Sequence, residues 1–144
     1  MDPERTLVLL VEDDQDTREL LAEVLQARGC SVRGAETVAN ARAVIAEARP
    51  DVLVADYSLP DGTGADIVQG LSSSRPRLCI LLTGFEPDRV TSTGFDVVLR
   101  KPVGPDAVIA EIRKCAELSE REMSVSKASV PGTVSTQSPS SPKV

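Results

Sequence analysis

Apolar residues along this chain fall into two repeating patterns, and the first is a set of short, continuously hydrophobic segments. Segments 7–11, 52–55 and 78–82 contain no polar side chain. Strands that are apolar on both sides are typical of a parallel sheet covered by helices on both faces. Segments 31–35 and 96–100 mix apolar and polar residues, which suits the edge strands of such a sheet. The first pattern therefore predicts five strands.

The second pattern is a set of apolar stripes at helical spacing, which fill the intervals between the strands. Four stripes occur, within segments 20–25, 41–48, 67–71 and 108–115, and the last follows Gly104-Pro105, a suitable helix start. Segment 87–93 has one apolar residue and is predicted to form at most a single turn. The alternation predicts an α/β fold with a doubly wound, five-stranded parallel sheet, helices on both faces and a shortened or irregular fourth helix.

The composition indicates one domain followed by a segment of different character. A chain of 144 residues suits a single hydrophobic core. Tyr57, Phe85 and Phe95 are the only aromatic residues, so that core must be built from aliphatic side chains. Residues 124–144 are rich in Ser and Pro and lack acidic residues, a composition that does not bury enough apolar surface to fold. We expect a domain over residues 1–123 and a disordered tail or linker over residues 124–144.

Charge and missing residue types exclude several classes of function. The net charge of −6 argues against nucleic acid as a direct partner. The chain has no histidine, which excludes a Ser-His-Asp triad, a histidine-ligated zinc site and a phosphohistidine within the chain. The three cysteines form no CxxC pair, so reduced thiols in a cytoplasmic protein are expected. No signal peptide is visible, and the apolar runs are too short to span a membrane.

Chemistry-bearing residues follow four of the predicted strands. They are Glu12-Asp13-Asp14, Asp56, Thr83 and Lys101. Because ligands bind beyond the carboxyl ends of such strands, we expect these side chains to meet at one edge of the sheet. Clustered carboxylates repel one another unless a cation offsets them, and that cation would be a metal such as Mg²⁺ or Lys101.

The acidic run allows two assignments, and simpler interpretations exist for each residue. Strand alternation places Glu12 and Asp13 nearest the strand end, so Asp14 is the better helix cap. Taken one at a time, the acids could be helix caps or turn residues, and Lys101 a solvated lysine. Their joint position at successive strand ends favours a functional site.

Four strings in the same order resemble the receiver domain of two-component response regulators, the family of the chemotaxis regulators. The strings are Val11-Glu12-Asp13-Asp14, the segment from Asp51 to Gly64, Leu81-Leu82-Thr83-Gly84 and Arg100-Lys101-Pro102. The resemblance covers residues 6–117. It implies a flavodoxin-like sheet with strand order 2-1-3-4-5.

The resemblance also implies a role for each of these residues. Asp56 would accept a phosphoryl group from a phosphohistidine of a histidine kinase or a histidine phosphotransfer protein, which would dock near residues 15–21. Mg²⁺ would be held by Glu12, Asp13, Asp56 and the backbone carbonyl of Ser58. Thr83 would hydrogen-bond the phosphoryl group, and Lys101 would pair first with the carboxylate and then with that group. A cis peptide bond is expected before Pro102.

Three positions depart from the family pattern. Val98 stands where the family has an aromatic switch residue, three positions before the lysine. The segment from Thr83 to Lys101 is about one helical turn shorter than in the family. Phe85 lies two positions after Thr83, where the family's residue influences hydrolysis of the phosphoryl group. Output through the usual surface is therefore in question.

The function predicted from these residues is a phosphorylation-controlled signalling switch. The chain would not be an enzyme beyond its own phosphotransfer and autodephosphorylation, because Ser58 stands where an aspartyl-phosphate phosphatase needs a second carboxylate. The alternative is a phosphorylation-independent receiver-like interaction module. The domain could be a stand-alone regulator or the receiver of a hybrid histidine kinase, and its downstream partner is not predicted.

Overall fold

The computed structural model describes residues 6–86 and 90–129, with side chains up to Leu118, and is built on a five-stranded parallel sheet. The sheet strands are β1 (Leu7–Val11), β2 (Ser31–Ala35), β3 (Val52–Asp56), β6 (Leu78–Thr83) and β7 (Val97–Arg100). A short antiparallel hairpin, β4 (Ser58–Leu59) with β5 (Gly62–Thr63), lies between β3 and β6. The strand order β2-β1-β3-β6-β7 is the order 2-1-3-4-5 of the sheet, so the predicted fold class is confirmed.

Four helices are present in the described part of the chain. They are α1 (Gln15–Ala27), α2 (Val38–Ala48), α3 (Gly64–Val68) and α4 (Pro105–Ser129). No helix occurs in residues 84–86 and 90–96, in agreement with the weak pattern there, and the rest of segment 87–93 lies outside the described residues. Within the same described ranges, no helix has the length and hydropathy of a membrane span.

Helix α4 extends beyond the predicted domain boundary at residue 123. It continues to Ser129, so the first six residues of the predicted tail are helical rather than irregular. Their sequence includes Ala128 and Lys127, which favour helix, and the first proline of the tail comes only at Pro131. The remaining tail, 130–144, lies outside the described residues, as does the start of the chain, and the prediction of disorder there stays a prediction.

The core lies in two layers, one on each face of the sheet. Along β1, Val8 and Leu10 belong to the layer packed under α1 and α4, whereas Leu9 and Val11 belong to the layer under α2 and α3. All five residues of β3 and all six of β6 are buried. The largest fully buried side chains are aliphatic, as the composition predicts. Burial on both faces explains why the central strands read as continuous apolar runs.

The start of α1 is fixed by the acidic run after β1. Asp14 is the N-cap, and its carboxylate accepts a hydrogen bond from the backbone N–H of Thr17 at 2.9 Å. Hydrogen bonds from the Thr17 side chain and backbone lower the pKa of Asp14. The assignment of Asp14 to the helix cap is thus confirmed, and Glu12 and Asp13 are left for the strand end.

Helix α3 is shorter than its apolar stripe predicts, and an arginine of α2 closes its carboxyl end. Nη1 of Arg42 donates to the carbonyls of Asp66 (3.0 Å), Ile67 (3.1 Å) and Gln69 (2.8 Å). These are the carbonyls that a helix end leaves without an intrahelical partner. The chain therefore leaves helical geometry at Gln69 while these three carbonyls still accept a hydrogen bond.

We expect Arg42→Gln to lower the free energy of unfolding by about 1–2 kcal/mol, because it removes charge-assisted hydrogen bonds at a helix terminus. Urea denaturation would measure the change. Arg33→Gln is the matched control, since Arg33 is exposed on the edge strand β2 and its substitution should change stability by less than about 0.5 kcal/mol. Equal stability of the two variants would contradict the capping role.

Candidate functional site

Three carboxylates meet at the carboxyl edge of the sheet. Glu12 follows β1, and Asp56 is the last residue of β3. Both are buried, with 6% and 5% of their surface exposed, whereas Asp13 is exposed. One carboxylate oxygen from each of the three residues lies within 4.8 Å of the others. The structure therefore brings together the three acidic side chains that the sequence assigned to a metal.

Lys101 enters this cluster from β7. Its Nζ lies 2.6 Å from Oδ1 of Asp56 and 3.6 Å from Oε2 of Glu12. The backbone N–H of Lys101 donates to the carbonyl of Thr83 at 2.7 Å, which fixes the start of the loop after β7 against β6. The peptide bond between Lys101 and Pro102 is cis, as the resemblance implies.

The electrostatics show that one lysine does not balance the cluster. Burial and contact with the Asp56 carboxylate raise the pKa of Glu12 to about 7. Burial alone would lower the pKa of Lys101, but its contact with Asp56 and the charge of Glu12 outweigh that effect and raise it. The raised pKa of Glu12 comes first from burial and then from the Asp56 carboxylate, so its charged form is disfavoured here and a second cation would stabilise it.

One atom of Asp56 is well suited to such a cation. Oδ1 is buried and accepts no well-aligned hydrogen bond from the described residues, although Nζ of Lys101 lies close enough for an ion pair. Each oxygen of an ionised carboxylate has two lone pairs, so Oδ1 can bind a further cation in addition to Lys101. Because magnesium prefers a few carboxylates and keeps several waters, the donor set fits Mg²⁺.

The other two predicted site residues lie close by along the chain. Thr83 ends β6 and is buried, and its Oγ1 accepts a hydrogen bond from the backbone N–H of Phe85 at 3.0 Å. In the sheet, Leu82 pairs with Asp56, so Thr83 stands one residue further along the neighbouring strand. Ser58 is exposed and begins β4, two residues after Asp56. The role of its backbone carbonyl stays a prediction.

An aromatic pair beside the site was not foreseen from the sequence. The rings of Tyr57 and Phe85 are packed edge to face, with centroids 6.2 Å apart and an angle of 78° between their planes. Tyr57 directly follows Asp56, and half of the Phe85 surface is exposed. The sequence could have indicated this pair by position, because β3 and β6 are adjacent strands. An aromatic residue follows the last residue of β3 by one position and the last residue of β6 by two. Val98, in contrast, is half-buried opposite Leu81.

A glycine packs directly against the main chain of Asp56. A Cβ atom at Gly64 would lie 2.8 Å from the carbonyl oxygen of Asp56 and 2.7 Å from Cδ1 of Leu81. The backbone N–H of Gly64 donates to the carbonyl of Tyr57 at 2.8 Å. The start of α3 therefore lies against the end of β3 at a distance that only glycine permits.

A groove opens beside the carboxylates. It has a volume of about 540 Å³ and lies between α1 and the loop that follows Lys101. Thr17, Leu20 and Leu21 line one wall, and Pro102 and Val103 line the other. Leu20 is 61% exposed, which leaves an apolar side chain of α1 free for a partner. The groove coincides with the docking region predicted at residues 15–21.

Comparison with known sequences and structures gives consistent results. A sequence model of the response regulator receiver domain matches residues 8–113. The chain is 33% identical to the KDP operon transcriptional regulatory protein KdpE of Escherichia coli and 34% identical to the phosphate regulon regulator PhoB of the same species. The alignments cover 75% and 74% of this chain but only 50% and 49% of those proteins, so the chain spans about half the length of these relatives.

Solved structures show the same fold. The chemotaxis response regulator CheY4 of Vibrio cholerae aligns with a TM-score of 0.70 and 25% identity over 77% of this chain and 98% of that one. A receiver domain protein of Methanospirillum hungatei aligns with a TM-score of 0.73 and 24% identity over 81% and 98%.

Proposed function

The chain belongs to the response regulator receiver domain family, and from this premise we propose that it is a signalling switch phosphorylated on Asp56. Receiver domains act in phosphorylation-based two-component signalling. The observation that carries the finer proposal is the buried Asp56 carboxylate, which lies 2.6 Å from Lys101 and has one oxygen without an aligned hydrogen bond. This carboxylate combines nucleophilic oxygens with an adjacent cation, as phosphoryl transfer requires.

The reaction transfers a phosphoryl group from a donor imidazole to an acceptor carboxylate. A carboxylate oxygen of Asp56 attacks the phosphorus of a phosphohistidine, the P–N bond breaks, and the imidazole nitrogen keeps the electron pair. The product is an acyl phosphate, with Lys101 placed to neutralise its oxygens and the Thr83 hydroxyl placed to donate to one of them. Glu12, Asp13, Asp56 and the Ser58 carbonyl would hold Mg²⁺, which neutralises charge on the phosphoryl oxygens when bound.

The donor has to be another molecule, because this chain has no histidine. We propose a histidine kinase or a histidine phosphotransfer protein as the partner and the groove beside α1 as its approach to Asp56. We assign the protein to the cytoplasm, with no direct contact with nucleic acid or membrane. Its catalysis would be limited to its own phosphorylation and dephosphorylation, because Ser58 offers no acid or base for turnover.

Incubation of the wild-type protein with acetyl phosphate is expected to add one phosphoryl group in the presence of Mg²⁺ and none in the presence of a chelator. Intact-mass spectrometry measures both states. A parallel titration with beryllofluoride and Mg²⁺, followed by the fluorescence of Tyr57, tests the site without relying on that donor. No mass change and no spectral change would reject the proposal and favour the phosphorylation-independent interaction module.

That alternative rests on two observations. The switch position on β7 is Val98, and the described residues between β6 and β7 form no helix. An output surface that differs this much from the family's would suit a module that binds its partner irrespective of phosphorylation. The intact set of Glu12, Asp56, Thr83 and Lys101 has no purpose in such a module, so phosphorylation remains our proposal.

We expect Phe85→Ala to lose the phosphoryl group faster than wild type, on the order of fivefold, which corresponds to about 1 kcal/mol in activation free energy. The Phe85 ring packs against Tyr57 next to the acceptor, and its removal would admit water to the acyl phosphate. Intact mass followed over time measures the rate. Leu118→Ala is the control, since Leu118 is equally apolar and exposed but lies on α4. Equal rates in all three proteins would remove the shielding role.

A further inference from the structure

We infer that Arg18 is a positioning residue for the metal ligand Glu12, an inference that rests on the proposed function. Arg18 lies in the first turns of α1, and its Nη1 donates to the backbone carbonyl of Glu12 at 2.7 Å. A guanidinium donor makes a strong hydrogen bond of this kind. Because the contact is with the main chain, it fixes residue 12 without competing for the carboxylate oxygens that would bind Mg²⁺.

The Arg18 side chain is itself held in place from a third segment. Its Nη2 lies 3.2 Å from Oε1 of Glu36, the residue that follows β2, and only 14% of the side chain is exposed. A Cβ atom at Gly34 would lie 3.2 Å from Cδ of Arg18, so the aliphatic stem crosses β2 where there is no side chain. The planar fork of arginine presents two separate nitrogens to these two oxygens in a fixed geometry, whereas lysine has a single nitrogen.

Residue 12 is consequently held at each of its polar groups. Its N–H donates to the carbonyl of Ala35 at 3.1 Å, its carbonyl accepts from Arg18, and its Oε1 accepts from the backbone N–H of Asp14 at 3.1 Å. This arrangement aims the carboxylate of Glu12 at Asp56 without help from a bound ion. Lys101 also lies 3.6 Å from Oε2 of Glu12, but it belongs to the proposed phosphoryl site. Arg18 supports residue 12 from outside that site, so its contact can be removed by mutation without changing a residue that faces the phosphoryl group.

Removal of this support should weaken metal binding more than it weakens the fold. Mutation of a residue that hydrogen-bonds a metal ligand typically lowers the affinity for the metal by about 10- to 100-fold. We expect Arg18→Met to raise the Mg²⁺ dissociation constant about tenfold. Phosphoryl uptake at saturating Mg²⁺ should stay close to wild type, because Asp56, Thr83 and Lys101 are untouched.

The experiment is a Mg²⁺ titration of the full chain, followed by the fluorescence of Tyr57, the only tyrosine and the neighbour of Asp56. Arg18→Met is compared with Arg33→Met, which removes the same charge from an exposed position on β2. Glu36→Gln keeps the bond from Arg18 to Glu12 and should bind Mg²⁺ nearly as wild type does. Arg18→Lys keeps the charge but not the fork, and should show a smaller rise than Arg18→Met.

The outcomes separate this inference from the proposed function. The positioning role is supported by a higher dissociation constant in Arg18→Met, a smaller rise in Arg18→Lys and wild-type values in Arg33→Met and Glu36→Gln. Arg18→Met should also match Arg33→Met in thermal stability at zero Mg²⁺. Wild-type affinity in Arg18→Met overturns it and leaves the proposed function intact. If Arg18→Met does not fold, wild-type affinity in Arg18→Lys overturns it instead. Absence of Mg²⁺ binding by the wild type would overturn both.

Discussion

Asp56→Asn is expected to reduce phosphoryl incorporation from acetyl phosphate to background. The amide has the same shape as the carboxylate but lacks the anionic oxygen that attacks phosphorus. It also removes the negative charge that faces Lys101 at 2.6 Å and one of the three carboxylates grouped within 4.8 Å. Intact mass after incubation with acetyl phosphate and Mg²⁺ measures the effect, which should be the largest of any single substitution.

Asp61→Asn is the matched control for this experiment. Asp61 is a carboxylate in the same loop, and its oxygens accept from the backbone N–H groups of Val38 (2.8 Å) and Ala39 (3.1 Å). Those hydrogen bonds lower the pKa of Asp61 and cap α2, away from the acidic cluster. Phosphorylation should therefore persist in Asp61→Asn. Full incorporation in Asp56→Asn would show that another residue is the acceptor.

Gly64→Ala is expected to lower the free energy of unfolding by about 1–3 kcal/mol, the range for overpacking a well-filled core. The added methyl group would lie 2.8 Å from the Asp56 carbonyl oxygen, a main-chain atom that no side-chain rotation can move aside. Relief requires α3 or the end of β3 to shift. A shift of β3 would move the Asp56 carboxylate relative to Lys101, so phosphoryl uptake should fall as well.

Urea denaturation and intact mass measure these two effects on the same preparations. Gly104→Ala is the control, because a Cβ atom there would have no neighbour within 4 Å. Both glycines lie outside the left-handed region, so the comparison isolates steric crowding from backbone strain. If Gly64→Ala were as stable and as readily phosphorylated as Gly104→Ala, the close approach of α3 to Asp56 would be wrong.

The sheet and the acidic site could be predicted because each is encoded locally. A continuous apolar run identifies a strand buried on both faces, and the residues directly after it are carried to the same edge by parallel pairing. Glu12, Asp56, Thr83 and Lys101 all follow this rule. The cap at Asp14 follows from a local preference as well.

Features that depend on contacts between distant segments were not predictable in this way. The end of α3 is determined by Arg42, which lies more than twenty residues earlier in the sequence. The packing of Tyr57 against Phe85 and the bond from Arg18 to Glu12 likewise require the arrangement of β-strands and helices before they can be recognised. Helix α4 extends beyond the boundary predicted at residue 123. That boundary was placed where the composition becomes less hydrophobic, and lower hydrophobicity does not by itself end a helix.

The burial of the sheet strands bears on how the molecule fluctuates. β3 and β6 are buried along their whole length, whereas β7 is half-buried at three residues and exposed at Arg100. Backbone amides in the central strands should exchange with solvent only when the entire domain unfolds, while those of β7 should exchange through smaller local openings. Asp56 therefore ends a strand whose amides should exchange slowly, whereas Lys101 directly follows β7, whose amides should exchange faster. We therefore expect the backbone that carries Asp56 to be held more rigidly than the backbone that precedes Lys101.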